Sequence, residues 1–85
     1  MDEYIYIIFD KNAGIGLKPL IVSRNHVAPL REVQDLCNNK ETLLYKHAGD
    51  FQLVKIGVLN LETLEIIRHT PEVIANCIDL VEQPE

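Results

Sequence analysis

The chain has 85 residues, is 47% hydrophobic, and carries 13 acidic against 8 basic side chains for a net charge of −5. That length allows one domain over residues 1–85, burying only about 60–65% of its unfolded surface, so a disulfide, a metal or self-association is the usual support. The acidic balance argues against a nonspecific nucleic-acid binder, whose affinity comes mainly from neutralised phosphates. The apolar run Tyr4 to Phe9 is far too short to cross a membrane.

The amino end, MDEYIYIIFD, has two acids and no basic segment before its apolar run, so a soluble intracellular protein is expected. Tyr4-Ile5-Tyr6-Ile7-Ile8-Phe9 is β-branched and aromatic throughout, apolar on both faces. Such a strand belongs in the interior of a sheet or under cover on both sides. A loop over residues 10–16 with two glycines follows, then a second strand over residues 18–23. Pro19 lacks a donor N–H, which puts that end of the strand at an edge.

Ser23 or Asn25 is available to cap the next element, and Val27, Leu30, Val33, Leu36 and Cys37 recur at helical spacing. Pro29 falls in the first turn or delays the helix to its own position. Asn38-Asn39 is expected to close the helix in the left-handed conformation. Leu43-Leu44-Tyr45 reads as a short turn or helix before the polar corner Lys46-His47-Ala48-Gly49-Asp50. A third strand over 51–59, a turn at 60–63 and a return strand over 64–68 come next. Thr70-Pro71-Glu72 carries the marks of a helix start, with Val73, Ile74, Cys77, Ile78 and Val81 as the apolar face of a second helix and 81–85 as a tail. The order ββαββα predicts an α+β fold, a four-stranded, mainly antiparallel sheet with two helices on one face.

Few residues point to chemistry. Gly14-Ile15-Gly16 lacks the third glycine and the following helix of a phosphate-binding fingerprint. His26, His47, His69, Cys37 and Cys77 show no metal-ligand spacing, so neither metal nor cofactor is expected. Both cysteines sit in apolar helical patterns, where buried free thiols are expected. The corner Lys46–Asp50 groups a base, a cation and an acid, yet a small domain has little room for a pocket, and a structural corner is the simpler reading. An enzyme is not expected.

Charge is unevenly spread. Residues 11–31 carry Lys11, Lys18, Arg24 and Arg31 without an acid, and residues 70–85 carry Glu72, Asp79, Glu82 and Glu85 without a base. Two solvated faces of opposite sign explain this most simply. For binding, Arg24, Lys46, His47, Lys55 and Arg68 are the candidate nucleic-acid contacts, with Tyr45 as a stacking aromatic. His69 lies beside them. Tyr4, Tyr6 and Phe51 are available either to stack on bases or to fill the core, which a chain this short needs.

The run Asn38…Leu43-Leu44-Tyr45-Lys46-His47-x-x-Asp50-Phe51-x-Leu53-x-x-Ile56-Gly57, followed by Thr70-Pro71-x-x-Ile74-Ala75-Asn76-Cys77-Ile78, resembles the small non-structural protein of gokushoviruses. These are tailless single-stranded-DNA phages of the microvirus family. Phe9-Asp10-Lys11 and Arg24-Asn25 extend the resemblance toward the amino end. Ala48 stands where relatives usually have proline, Asn60-Leu61-Glu62 replaces an acid-rich turn, and Pro29 is unusual. Lys46, His47, Asp50, Gly57 and Asn76 match the pattern, which carries no defined functional site.

The resemblance implies a non-enzymatic accessory of viral DNA replication or packaging, made in the host cytoplasm. It would bind single-stranded DNA, or the replication initiator or procapsid. A homodimeric protein-interaction module without nucleic-acid contact is the alternative, and the net charge favours it. Self-association is also the support expected for so thin a core.

Overall fold

In a computed structural model of the chain, which describes residues 2–82, four strands form one antiparallel sheet in the order β2-β1-β3-β4. The strands are β1 (Asp2–Asp10), β2 (Ile15–Ser23), β3 (Phe51–Asn60) and β4 (Ile66–Asn76). The helices are α1 (Val27–Asn38), α2 (Leu43–Lys46) and α3 (Cys77–Leu80), with a 3-10 turn at Ala48–Asp50. The α+β architecture follows from the pattern in the sequence. The most apolar segment, β1, takes an interior position between β2 and β3.

Alternation along β1 sends Tyr4, Tyr6 and Ile8 to one side of the sheet and Ile5, Ile7 and Phe9 to the other. On the first side Tyr6 joins Val33, Cys37, Leu44, Ala48, Phe51, Leu53 and Cys77 in the core, beneath the helices. Burying a Val or Leu side chain of this kind contributes roughly 1.5–3 kcal/mol. The second side is covered by no helix among the described residues.

β1 is regular, but each neighbouring strand departs from register. β2 loops out around Lys18–Leu20, between the pairs Tyr6↔Ile21 and Ile8↔Leu17, and the Lys18–Pro19 peptide is cis. β3 carries an extra residue at Ile56, between Ile5↔Gly57 and Tyr6↔Lys55. β4 has extra residues between Lys55↔Glu72 and Gly57↔Arg68. Bulges bend and twist a strand locally. Gly57 lies tight against β4, where a Cβ would sit 2.6 Å from the Ile67 carbonyl oxygen.

The expected second helix from Thr70-Pro71-Glu72 is not formed. β4 continues through these residues to Asn76, and the helix is confined to Cys77–Leu80. Local start signals are worth about a kilocalorie or less each, and pairing with β3 overrides them. Pro71 falls where the ladder is interrupted, so its missing N–H costs no regular bond. Val73 and Ile74, β-branched, suit the strand equally well.

The cysteines also depart from expectation: Cys37 and Cys77, both fully buried, are joined as a disulfide across a sequence separation of 40. The bond ties α1 to the start of α3. Helical spacing made each cysteine a core residue, but their pairing depends on β4 delivering Cys77 to α1.

Smaller differences concern the helix ends. α1 begins at Val27, whose N–H donates to Asn25 Oδ1 at 2.9 Å, so Pro29 lies buried inside the first turn and does not delay the start. Asn39 is extended (φ −88°, ψ 110°), not left-handed. Its N–H and the Thr42 hydroxyl close the helix together, both donating to the Leu36 carbonyl, at 3.2 and 2.6 Å. Asn38 Nδ2 donates to Leu80 O at 3.0 Å and Asn38 Oδ1 accepts from Glu82 N at 2.7 Å. Of the tail expected over 81–85, residues 83–85 lie outside the described residues.

Candidate nucleic-acid and partner interface

The six candidate contacts divide among three places. Tyr45, Lys46 and His47 stand exposed on α2 and the corner after it. Thr42 Oγ1 accepts from Tyr45 N at 3.2 Å, and the His47 N–H closes the turn on Leu43 O at 2.8 Å. Asp50 holds this corner to the sheet through its backbone, its carbonyl accepting from Lys11 N at 2.8 Å. The corner therefore sits beside the Asp10↔Phe51 pair.

Arg24, directly after β2, and Lys55, on β3, lie toward the other end, flanking Tyr4 on either side. Tyr4 pairs with Ser23, the residue before Arg24, and its ring lies under the Lys55 ammonium, 4.5 Å from Nζ to the centroid. Each of these cations has an acid. Lys55 Nζ is 3.3 Å from Glu72 Oε1, and Arg24 Nε is 3.8 Å from Glu3 Oε2. A phosphate reaching either would compete with a carboxylate already in place. Exposed pairs of this kind are worth about 1 kcal/mol or less, so the competition is weak at Arg24, and stronger at Lys55, whose side chain is mostly covered.

Arg68 belongs to the opposite face. Its partner Gly57 pairs with Ile5, and Arg68 lines the cavity over Ile5, whereas Lys55 stands on the Tyr4–Tyr6 side. Arg24, Lys46, Lys55 and Arg68 thus do not form one strip. The aromatics divide as well: Tyr4 and Tyr45 keep more than a third of their surface exposed, while Tyr6 and Phe51 are core.

Tyr6 and Tyr4 meet edge to face with ring centroids 6.5 Å apart. The Tyr6 hydroxyl is buried without a hydrogen-bond partner. Burial holds its pKa above the usual tyrosine value, with the Tyr4 phenol and the Glu72 carboxylate adding to the effect. The group stays a neutral phenol.

The feature that residue-type reasoning missed lies on the uncovered side. Two adjoining cavities, of about 460 and 250 Å³, run along it and share Ile56 and Pro71. Ile5, Ile7, Phe9, Val54 and Ile56 form their floor. Leu20 rises on the β2 side and Pro71 on the β4 side, both from the irregular segments of those strands. The result is an apolar trough whose ionisable lining groups are Arg68 and His69. The signal for it was present in the sequence, in a first strand apolar on both faces.

Among the described residues no cluster of His, Cys, Asp or Glu is arranged to hold a metal ion, and no helix is long and apolar enough to cross a membrane. A family model described as Phage ORF5 protein matches residues 3–80. No curated protein and no solved structure matches.

Proposed function

The chain belongs to the Phage ORF5 protein family, and from that premise we propose that it is a non-enzymatic accessory of viral single-stranded-DNA replication or packaging. It acts through protein contacts made by the apolar trough. The uncovered trough is the observation that carries this reading: continuous apolar surface on a small protein marks an interaction site. Its lining offers a docking surface and no nucleophile beside a base. The resemblance to the gokushovirus non-structural protein supplies the setting, a host cytoplasm, and the partners, the replication initiator or the procapsid.

One observation favours a second reading, direct binding of single-stranded DNA. The exposed Tyr4 ring beneath the Lys55 ammonium combines a stacking surface with a cation, and Arg24 follows Ser23, the strand partner of Tyr4. The net charge of −5 and the carboxylates on both cations weigh against it.

Two measurements test the readings. Purified protein is mixed with purified replication initiator or procapsid, and complex formation is compared with that of a Leu20→Glu variant. The proposal expects binding by the wild type that the variant loses, and is overturned if neither partner binds. Fluorescence anisotropy with labelled oligo-dT at about 50 and 200 mM salt addresses the second reading. Binding at the lower salt, lost at the higher and in Lys55→Glu, would establish it.

A further inference from the structure

We infer that the trough is the interface of a homodimer, in which two copies stack their uncovered sheet faces about a two-fold axis. The inference rests on reading the trough as a docking surface and commits its resting occupant to a second copy of this chain, which a partner protein displaces when it takes the same face.

The first support is the strand pattern. An antiparallel sheet with one wet face shows polar residues at alternate positions. β1 instead presents Ile5, Ile7 and Phe9 on the side its own helices leave bare, and Val54 and Ile56 of β3 continue that surface. A sheet apolar on both faces is satisfied by a layer on each side. The chain supplies one.

The second support is area. The chain exposes 5,990 Å², whereas a compact monomer of its mass exposes about 5,100 Å² by the usual scaling. The excess of about 900 Å² is summed over the whole chain, and the exposed Leu20, Ile66 and Val73 of the trough are part of it; a standard stable interface takes roughly 800 Å² from each partner.

The third support is self-complementarity. A two-fold interface requires one surface to carry both the recess and what fills it. The trough has a recessed floor, with Ile5 at 5% and Val54 at 6% exposure, beside projecting apolar side chains, Leu20 at 55% and Val73 at 48%. In a face-to-face stack, with sheets about 10 Å apart, such projections from one copy enter the recess of the other. Arg68 and His69 belong to the β4 wall and not to the floor, so the floor buries no charge. The Tyr4–Lys55 cluster lies on the opposite side of the sheet and stays outside the interface, as does the Tyr45–Lys46–His47 corner.

Sedimentation equilibrium from about 2 to 200 µM tests the inference with the wild type, Leu20→Glu, Val73→Lys and, as a control away from the trough, Lys46→Glu. The expected result is a wild type and a Lys46→Glu control at twice the 9.7 kDa chain mass, and both trough variants weakened at least tenfold in self-association. Leu20 and Val73 are exposed in the monomer, so these substitutions leave its core intact, which far-UV circular dichroism verifies. A monomeric wild type throughout the range overturns the dimer. So does a dimer that both trough variants preserve, which would instead indicate pairing through the β2 or β4 edge. A monomeric wild type that binds initiator or procapsid in a Leu20-dependent manner overturns the dimer and leaves the proposed function standing.

Discussion

Reducing the Cys37–Cys77 bond tests how much of the stability of this small protein depends on one covalent link. The bond joins α1 to α3 across a separation of 40 residues. Loop-closure entropy for a ring of that size amounts to about 4 kcal/mol at 25 °C, held in the native state by restricting the unfolded chain. Total stability for a chain of this length is of order 4–13 kcal/mol, so the link is a large share of it. Both sulfurs are fully buried, so the reduced thiols remain in the same packing and the loss is mainly that of the crosslink. Urea unfolding followed by circular dichroism, with and without reductant, reads the difference. With an m-value of about 1.5 kcal/mol/M the midpoint falls by about 2.5 M on reduction. A fall under about 0.5 M would refute the reasoning, and so would alkylation of two thiols per chain in denaturant before any reductant is added. The result bears on location, since the cytosol keeps most thiols reduced. There the reduced protein is the relevant form, and support from a second copy matters more.

Gly57→Ala sets a Cβ 2.6 Å from the Ile67 carbonyl oxygen and should cost about 1–3 kcal/mol in urea unfolding; a loss below about 0.5 would mean that β4 yields easily there. Tyr6→Phe removes a buried hydroxyl without a partner and is expected to be neutral or stabilising by about 1 kcal/mol. The same residue sets an alkaline limit. Its folded pKa is raised, so its contribution is complete below about pH 10, where the unfolded phenol titrates, and is lost as pH rises through the folded value. Thermal unfolding from about pH 9 to 11.5 should fall more steeply for wild type than for Tyr6→Phe; equal slopes would show that the phenol is not desolvated. Asn38→Ala removes the amide that holds Leu80 O and Glu82 N to α1. It should cost about 1–2 kcal/mol and speed amide exchange at Glu82, and unchanged exchange there would assign that restraint elsewhere.

Composition and periodicity were enough for the α+β class, the first helix and four strands, because each of these is set by local preference repeated over many residues. The unusual pattern of β1, apolar on both faces, determined that this strand would be interior and that its second face would want cover. The corner at Lys46–Asp50 was legible too, since its turn is closed within a few residues. What lay beyond the sequence were the features fixed by partners distant along the chain. Thr70-Pro71-Glu72 satisfies every local rule for starting a helix, and became strand because β3 offered a ladder to pair with. Cys37 and Cys77 read as separate core residues until that longer β4 brought them together. Lys55 and Arg68, both candidate contacts, fall on the third and fourth strands, and the irregular registers around Ile56 and Pro71 send them to opposite faces. The loop-out of β2 around Lys18–Leu20 and the irregularity of β4 raised Leu20 and Pro71 into the walls of the trough. Residue identity fixes which side chains seek burial and which seek water; register, which depends on strands meeting across the sheet, decides which of them share a surface.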